Sequence, residues 1–119
     1  MRGASYHNKL CSADVAVELI QSHDRVFMTG NCSVPKELLG ALVRRAPLLE
    51  DVEIVQVLTM GPAEYVAPEM QGHIRVNSLF ISHNVRKAVN DGRADFTPIF
   101  LSQIPRALRD PDLLKPRVA

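Results

Sequence analysis

Between Ile74 and Pro105 the chain reads IRVNSLFISHNVRKAVNDGRADFTPIFLSQIP, and its hydrophobic spacing alternates between extended and helical within about thirty residues. Val76, Leu79, Phe80 and Ile81 are apolar and partly β-branched or aromatic, the residue types a buried strand selects. From Asn84 to Asn90 the spacing becomes helical: Val85, Ala88 and Val89 share one face, Arg86 and Lys87 point outward, and Gly92 supplies a residue suited to a left-handed helix end. Ala94 to Phe100 returns to extended chain with Pro98 inside it. Ser102 is then placed to cap a further helix, with Pro105 in its first turn, where no backbone donor is missed. Two strand-to-helix units in tandem predict an α/β fold, a mainly parallel sheet with crossover helices.

The rest of the chain extends this pattern. Residues 1–11 are polar and predict an arm over the surface, so the domain proper is read as residues 12–119. Ser12 opens a helix on which Val15, Leu19 and Ile20 are the expected apolar face, with Asp14 near the positive end of the dipole. Arg25 to Thr29 reads as a strand and Pro35 as the first residue of a helix to about Arg45. Gly30 to Val34 is therefore a tight loop from a strand's carboxyl end into a helix start. Val52 to Thr59 is a continuous apolar run, expected to be a strand covered on both faces. Met60 to His73, with two prolines and two glycines, reads as an irregular loop beginning at the same sheet edge. Lys115 to Ala119 looks like the start of another strand.

Composition narrows the function classes. With 119 residues the chain is one domain's worth, and its hydrophobic content of 46% suits a globular core. A formal net charge of +1 provides no long-range field for nucleic acid or an anionic membrane. Aromatic residues at 5%, with no tryptophan, supply no stacking platform for single strands. No apolar run has the length to span a bilayer, and Asp14 and Glu18 interrupt the N-terminal one. Cys11 and Cys32 have no metal-ligand spacing and predict free thiols in a reducing cytoplasm.

The words NSLFISHNVRKAVNDGRADFTPIFLSQIPRAL resemble the N-terminal half of the acetyl-CoA hydrolase/transferase family, which includes the 4-hydroxybutyrate CoA-transferases. Ser78, Phe80, Arg86, Gly92 to Asp95, Pro98, Ile104 and Pro105 carry the likeness, which runs back to about Ser12. Members are several times longer, and their second half bears the catalytic glutamate, so the resemblance implies a partial domain, inactive alone, whose partner is a missing C-terminal domain of the same protein. It further implies a full-length homodimer acting on an acyl-CoA and a small carboxylate. The coenzyme A thioester would be substrate, with no separate cofactor. Water as the final acceptor would make the same site a hydrolase.

Candidate site residues follow from the sheet edge. Ligands of parallel α/β sheets bind at the strands' carboxyl ends. Gly30, Asn31, Cys32 and Ser33 lie there, and a glycine with unpaired amides at a helix start can approach and stabilise a developing oxyanion. The alternative is a turn that needs a glycine for its own sake. The resemblance favours the first reading, although only Gly30 stands where related transferases often carry two or three glycines. Met60, Gly61, His83 and Asn84 follow the next strands; the last two either line the site or cap their helix. Cys32 is read as a small loop residue rather than a nucleophile, and Glu64 and Glu69 as solvated charge rather than catalytic carboxylates. His7, His23 and His73 are read as surface residues without metal spacing. Arg86 and Arg93 are either partners for a CoA phosphate or an exposed charged face, and Asp95 is expected to cap or pair locally with Arg93. Against the transferase stand a non-catalytic α/β binding or interaction module and a sugar-phosphate isomerase on a similar fold.

Overall fold

The computed structural model describes residues 3–119. Of the N-terminal arm, Met1 and Arg2 lie outside the described residues; Gly3–His7 forms a short helix, α1, and residues 5–12 are exposed. Four strands, β1 (Arg25–Met28), β2 (Val52–Gln56), β3 (Ile74–Ser78) and β4 (Asp95–Phe96), make one sheet in the order β1-β2-β3-β4, every pairing parallel. The α/β class and the parallel sheet expected from the sequence are what the chain forms.

Strand parity divides the side chains between two faces. Val26 and Met28, Val52 and Ile54, and Ile74 and Val76 join Leu39, Leu42, Tyr65 and Ala88 in the main core. These covering residues come from the segments that connect the strands. In α3 (Lys36–Arg45), Leu39 and Leu42 recur at i and i+3, and Ala46 continues the stripe just past the helix, so one apolar stripe meets the sheet. Burying a leucine there contributes about 1.5–3 kcal/mol. Arg44 and Arg45 occupy the last turn of α3, where a cation suits the dipole; Arg44 pairs with Asp14 at 2.6 Å and Arg45 donates to the Val17 carbonyl at 3.1 Å. The opposite face holds Phe27, Val55 and Leu79 against Ile104, Ala107, Leu108 and Leu114, a smaller core supplied by the chain after β4.

Local signals explain most boundaries. Ser12 caps α2 (Ala13–Ala16) by accepting from the Val15 amide at 3.3 Å. The helix α4 (His83–Asn90) ends as a Schellman turn: Gly92 takes φ +73°, its amide donates to Val89, and the Arg93 amide donates to Ala88. Gly92 is thus fixed by its backbone conformation.

Several expectations are corrected. After Ser12 the helix tightens to a 3-10 turn over Val17–Leu19, which rotates its apolar face, so Val17 and Ile20 are buried while Val15 and Leu19 are exposed. Phe80 is 56% exposed, because the strand ends at Ser78 and the chain turns away before the aromatic ring. The β2 strand stops at Gln56 and is not apolar on both sides, since Glu53 faces a half-open surface. Pro35 sits at the N-cap of α3, one position before its first helical residue. Ser102 caps nothing. It lies within a 3-10 turn, Leu101–Gln103, and Gln103 occupies the cap position of α5 (Ile104–Ala107), with Pro105 in the first turn. The strand expected at Lys115 to Ala119 begins as a single parallel bridge from Val118 to Val26.

Candidate functional site

Each of the first three strands delivers a loop to the same sheet edge. Gly30 has φ −112°, a conformation open to any residue, so flexibility does not explain it. The reason is space: a Cβ at Gly30 would lie 2.1 Å from the carbonyl oxygen of Leu58. The glycine expected to let backbone approach a ligand lets it approach the neighbouring loop. Asn31 takes the left-handed φ of +52° that closes the turn, and its amide donates to the same Leu58 carbonyl at 2.7 Å. The Ser33 amide is likewise engaged, donating to Gly30 at 3.0 Å, while the Thr29 hydroxyl donates to the Ser33 carbonyl. These bonds narrow the expected oxyanion donors. In the loop's tip the amide of Cys32 meets no acceptor among the described residues, and its side chain is exposed as a free thiol.

The second loop is held to the first and third. Gly61, at φ +92°, stands beside the start of α3, where a Cβ would lie 3.6 Å from Lys36 Cε. Its carbonyl accepts from Asn84 Nδ2 at 3.1 Å. Gly30, Asn31, Cys32, Ser33, Met60, Gly61, His83 and Asn84 therefore border one edge, with Met60 and His83 exposed. Neither His83 nor Asn84 caps α4: Ser82 holds the N-cap position, and Asn84 spends its amide across the loops instead.

Behind this rim lies a buried polar chain that the sequence reading missed. Tyr65 donates its hydroxyl to Gln56 Oε1 at 3.1 Å, and Gln56 donates through Nε2 to the Thr59 hydroxyl at 3.2 Å. Thr59 contacts Ser82 at 3.1 Å and donates to Asn84 Oδ1 at 3.3 Å; Ser82 donates to the same oxygen at 2.7 Å. Donors and acceptors thus run in one direction from the core to the Gly61 carbonyl. Gln56 is fully buried, and none of the buried side-chain polar atoms described lacks a partner. Burial raises the Tyr65 pKa, opposed by its hydrogen bonds to Thr59 and Gln56, so the phenol stays a neutral donor. The available signal was a glutamine on the same strand face as Val52 and Ile54 at the end of VEIVQ, with hydroxyls soon after β2 and β3 at Thr59 and Ser82.

Other candidates separate from the edge. Glu64 and Glu69 are exposed on the connecting loop. Arg93 is committed to the Val66 carbonyl and to Asp91, while Arg86 is exposed on α4. Asp95 pairs with Arg75 of the neighbouring strand rather than with Arg93: its register partner is Asn77, and Arg75, two residues earlier on the same face of β3, reaches it diagonally. His7 and His23 are exposed, but His73 is half-buried with Nδ1 2.7 Å from the Leu49 carbonyl. Among the described residues no group of histidine, cysteine and carboxylate side chains is arranged for a metal, and no helix is long and apolar enough to cross a membrane.

Residues 1–112 match the family model described as the acetyl-CoA hydrolase/transferase N-terminal domain. The chain belongs to this family. The match reaches further toward the N-terminus than the Ser12 limit read from the sequence. The 4-hydroxybutyrate coenzyme A transferase of Clostridium kluyveri is 39% identical over 105 residues, covering 88% of this chain and 24% of that protein. The succinyl-CoA:cyclohexane-1-carboxylate CoA transferase of Geobacter metallireducens is 36% identical, with 88% and 24% covered. The crystal structure of RipA from Yersinia pestis superposes with a TM-score of 0.75 at 25% identity, over 90% of this chain and 27% of that one. The chain thus spans about a quarter of the length of these relatives.

Proposed function

We propose that this domain forms the acyl-side wall of an acyl-CoA:carboxylate CoA-transferase, completed by a further domain that carries the nucleophilic glutamate. The observation that carries the reading is the convergence of the Gly30, Gly61 and Asn84 loops on the carboxyl edge of a parallel sheet, in a chain of this family. The glutamate carboxylate attacks the thioester carbonyl, expelling CoA thiolate and leaving an acyl-glutamyl anhydride. The thiolate then attacks the glutamyl carbonyl, releasing the first carboxylate and forming a glutamyl-CoA thioester that an acceptor carboxylate resolves through the reverse steps. Negative charge develops on the thioester oxygen in the first step, and the amides of Gly30 and Cys32, neither of which meets an acceptor among the described residues, are the donors this loop offers to it. Met60 and His83 border the acyl group from the second and third loops. The assembly acts as a homodimer with the coenzyme A thioester as substrate and no other cofactor, and the exposed thiols Cys11 and Cys32 suit a reducing cytoplasm.

The test uses the protein with its full polypeptide. Incubation with an acyl-CoA followed by borohydride should reduce an enzyme-bound glutamyl thioester, with loss of CoA transfer and a mass change on one glutamate. Retained transfer with no adduct rejects the covalent route. Release of free acid without an acceptor carboxylate would assign the hydrolase instead. Binding of an acyl-CoA with neither reaction would assign a non-catalytic module.

A further inference from the structure

The stretch from Leu58 to Gly61, just after β2 at the carboxyl edge, is held along its length. The Leu58 carbonyl accepts from the Asn31 amide at 2.7 Å, the Thr59 side chain is buried in the polar chain that begins at Tyr65, and the Gly61 carbonyl accepts from Asn84 Nδ2 at 3.1 Å. Met60 alone of this stretch makes no hydrogen bond among the described residues, and it is 58% exposed. An unbranched thioether side chain adapts to many shapes, so a wall built from one discriminates only as far as its backbone is held in place. Both neighbours of Met60 are held, and by the same chain of bonds. Asn84 Oδ1 accepts from Thr59 at 3.3 Å and from Ser82 at 2.7 Å, which turns its nitrogen toward Gly61. Gln56 is oriented in the same sense, accepting from Tyr65 through Oε1 and donating to Thr59 through Nε2. Each amide is therefore fixed by the bond behind it, and a buried network of this kind is rigid only while every member is present.

We infer that this buried chain sets the acyl selectivity of the site: Tyr65, Gln56, Thr59 and Asn84 are positioning residues that act through Met60, the exposed side chain carried between the Thr59 and Gly61 anchors. The inference rests on the transferase reading above, in which Met60 borders the acyl group. Loosening either anchor alters the wall against which acyl groups are measured, while the attack of the glutamate on the thioester involves none of these residues.

The test uses the protein with its full polypeptide and compares kcat/KM for acetyl-CoA and butyryl-CoA, donors that differ only in acyl length. Asn84→Asp keeps the side-chain shape and the acceptor for Ser82 and Thr59 but offers no donor to Gly61. Thr59→Val removes the middle of the chain with little change of shape, and Tyr65→Phe removes its buried end. Asn84→Asp and Thr59→Val should each shift the acetyl-to-butyryl ratio in the same direction by about tenfold, the discrimination that a methylene supplies in a shaped pocket, and Tyr65→Phe should shift it that way by less. Ile54→Ala is the control: it weakens the core without touching the chain, so it should scale both donors by one factor and leave the ratio unchanged. An unchanged ratio in the chain variants, or an equal shift in Ile54→Ala, overturns the proposal. A shift in Asn84→Asp with none in Thr59→Val or Tyr65→Phe overturns the chain and leaves Asn84 acting alone. Failure of the transferase reading shows separately, as a wild-type protein that yields no trapped adduct; the ratio is then read from the Kd of the same two thioesters, with the same outcomes.

Discussion

The two faces of the sheet are built from the same strands yet meet different surroundings. On one face Val52, Ile54 and Gln56 are buried beneath the segments that connect successive strands. A strand order without reversal places its crossovers on a single side, so that cover is inherent in the connectivity. On the other face Val55 is buried, but Glu53 and Arg75 are not; they pair with Arg25 and Asp95 at the amino-terminal half of the sheet. Cover there depends on the chain after β4, whose apolar residues reach only the carboxyl-terminal half. The lesson is that burial in this domain follows connectivity before composition. On the face without crossovers the strand residues are apolar where the chain after β4 reaches them, as at Val55, and charged where it does not, as at Glu53 and Arg75.

Adjacent residues of β2 sharpen the contrast most. Ile54→Ala, on the connected face, should cost about 2–5 kcal/mol by lost burial and cavity formation, read as a shift of the urea midpoint. A loss below that range would show that the helical layer collapses onto the gap and is less rigid than its packing implies.

Tyr65→Phe asks whether the polar end of the same face is as dependent on partners as its apolar middle. Removing the hydroxyl leaves Gln56 Oε1 without its donor in a fully buried site, an expected loss of about 1–3 kcal/mol by denaturant titration. There is also a pH signature. Because the folded pKa of Tyr65 is raised, chiefly by burial, its contribution is complete below the ordinary tyrosine pKa and is lost as pH rises through the folded value. Alkaline unfolding should therefore move to higher pH in Tyr65→Phe relative to its own neutral stability. An unchanged alkaline limb would show that another group governs it.

On the half-open face, Glu53→Gln should cost no more than about 1 kcal/mol, because the Arg25 pair is nearly one-third exposed and screened. A larger loss would make the two faces energetically alike. The smallest effect belongs to Asp91, whose carboxyl is held below its ordinary range first by the hydrogen bond from Lys87 and then by that from Arg93. A depressed folded pKa contributes stability above the unfolded value and loses it as pH falls through the folded one. Asp91→Asn should thus flatten only the most acidic part of the stability profile, and this exposed, solvent-screened group should leave neutral stability almost unmoved.

The contrast between the faces also explains what was legible in advance. Strand positions, the Ser12 cap, the Gly92 helix end and the parallel sheet follow from spacing and single-residue stereochemistry, which act within a few residues and are written in the sequence directly. The N-terminal position of the Gly30 loop at the sheet edge was legible for the same reason. The purpose of Gly30 was not: the nearness of Leu58 is a contact between loops that follow different strands, and no local pattern encodes it. The engagement of the Asn31 and Ser33 amides was hidden likewise, as was the partner of Asp95.

By itself, then, the sequence determined the α/β class, the order of the elements and the edge at which the candidate site lies, because hydrophobic period, caps and turns are short-range properties. The tertiary structure alone decided which amides remain free, how Tyr65 and Gln56 reach Asn84 through Thr59 and Ser82, and which half of the second face is covered. Those outcomes are set by the register between strands and by the reach of the segments that follow them, and they exist only once distant parts of the chain have been brought together.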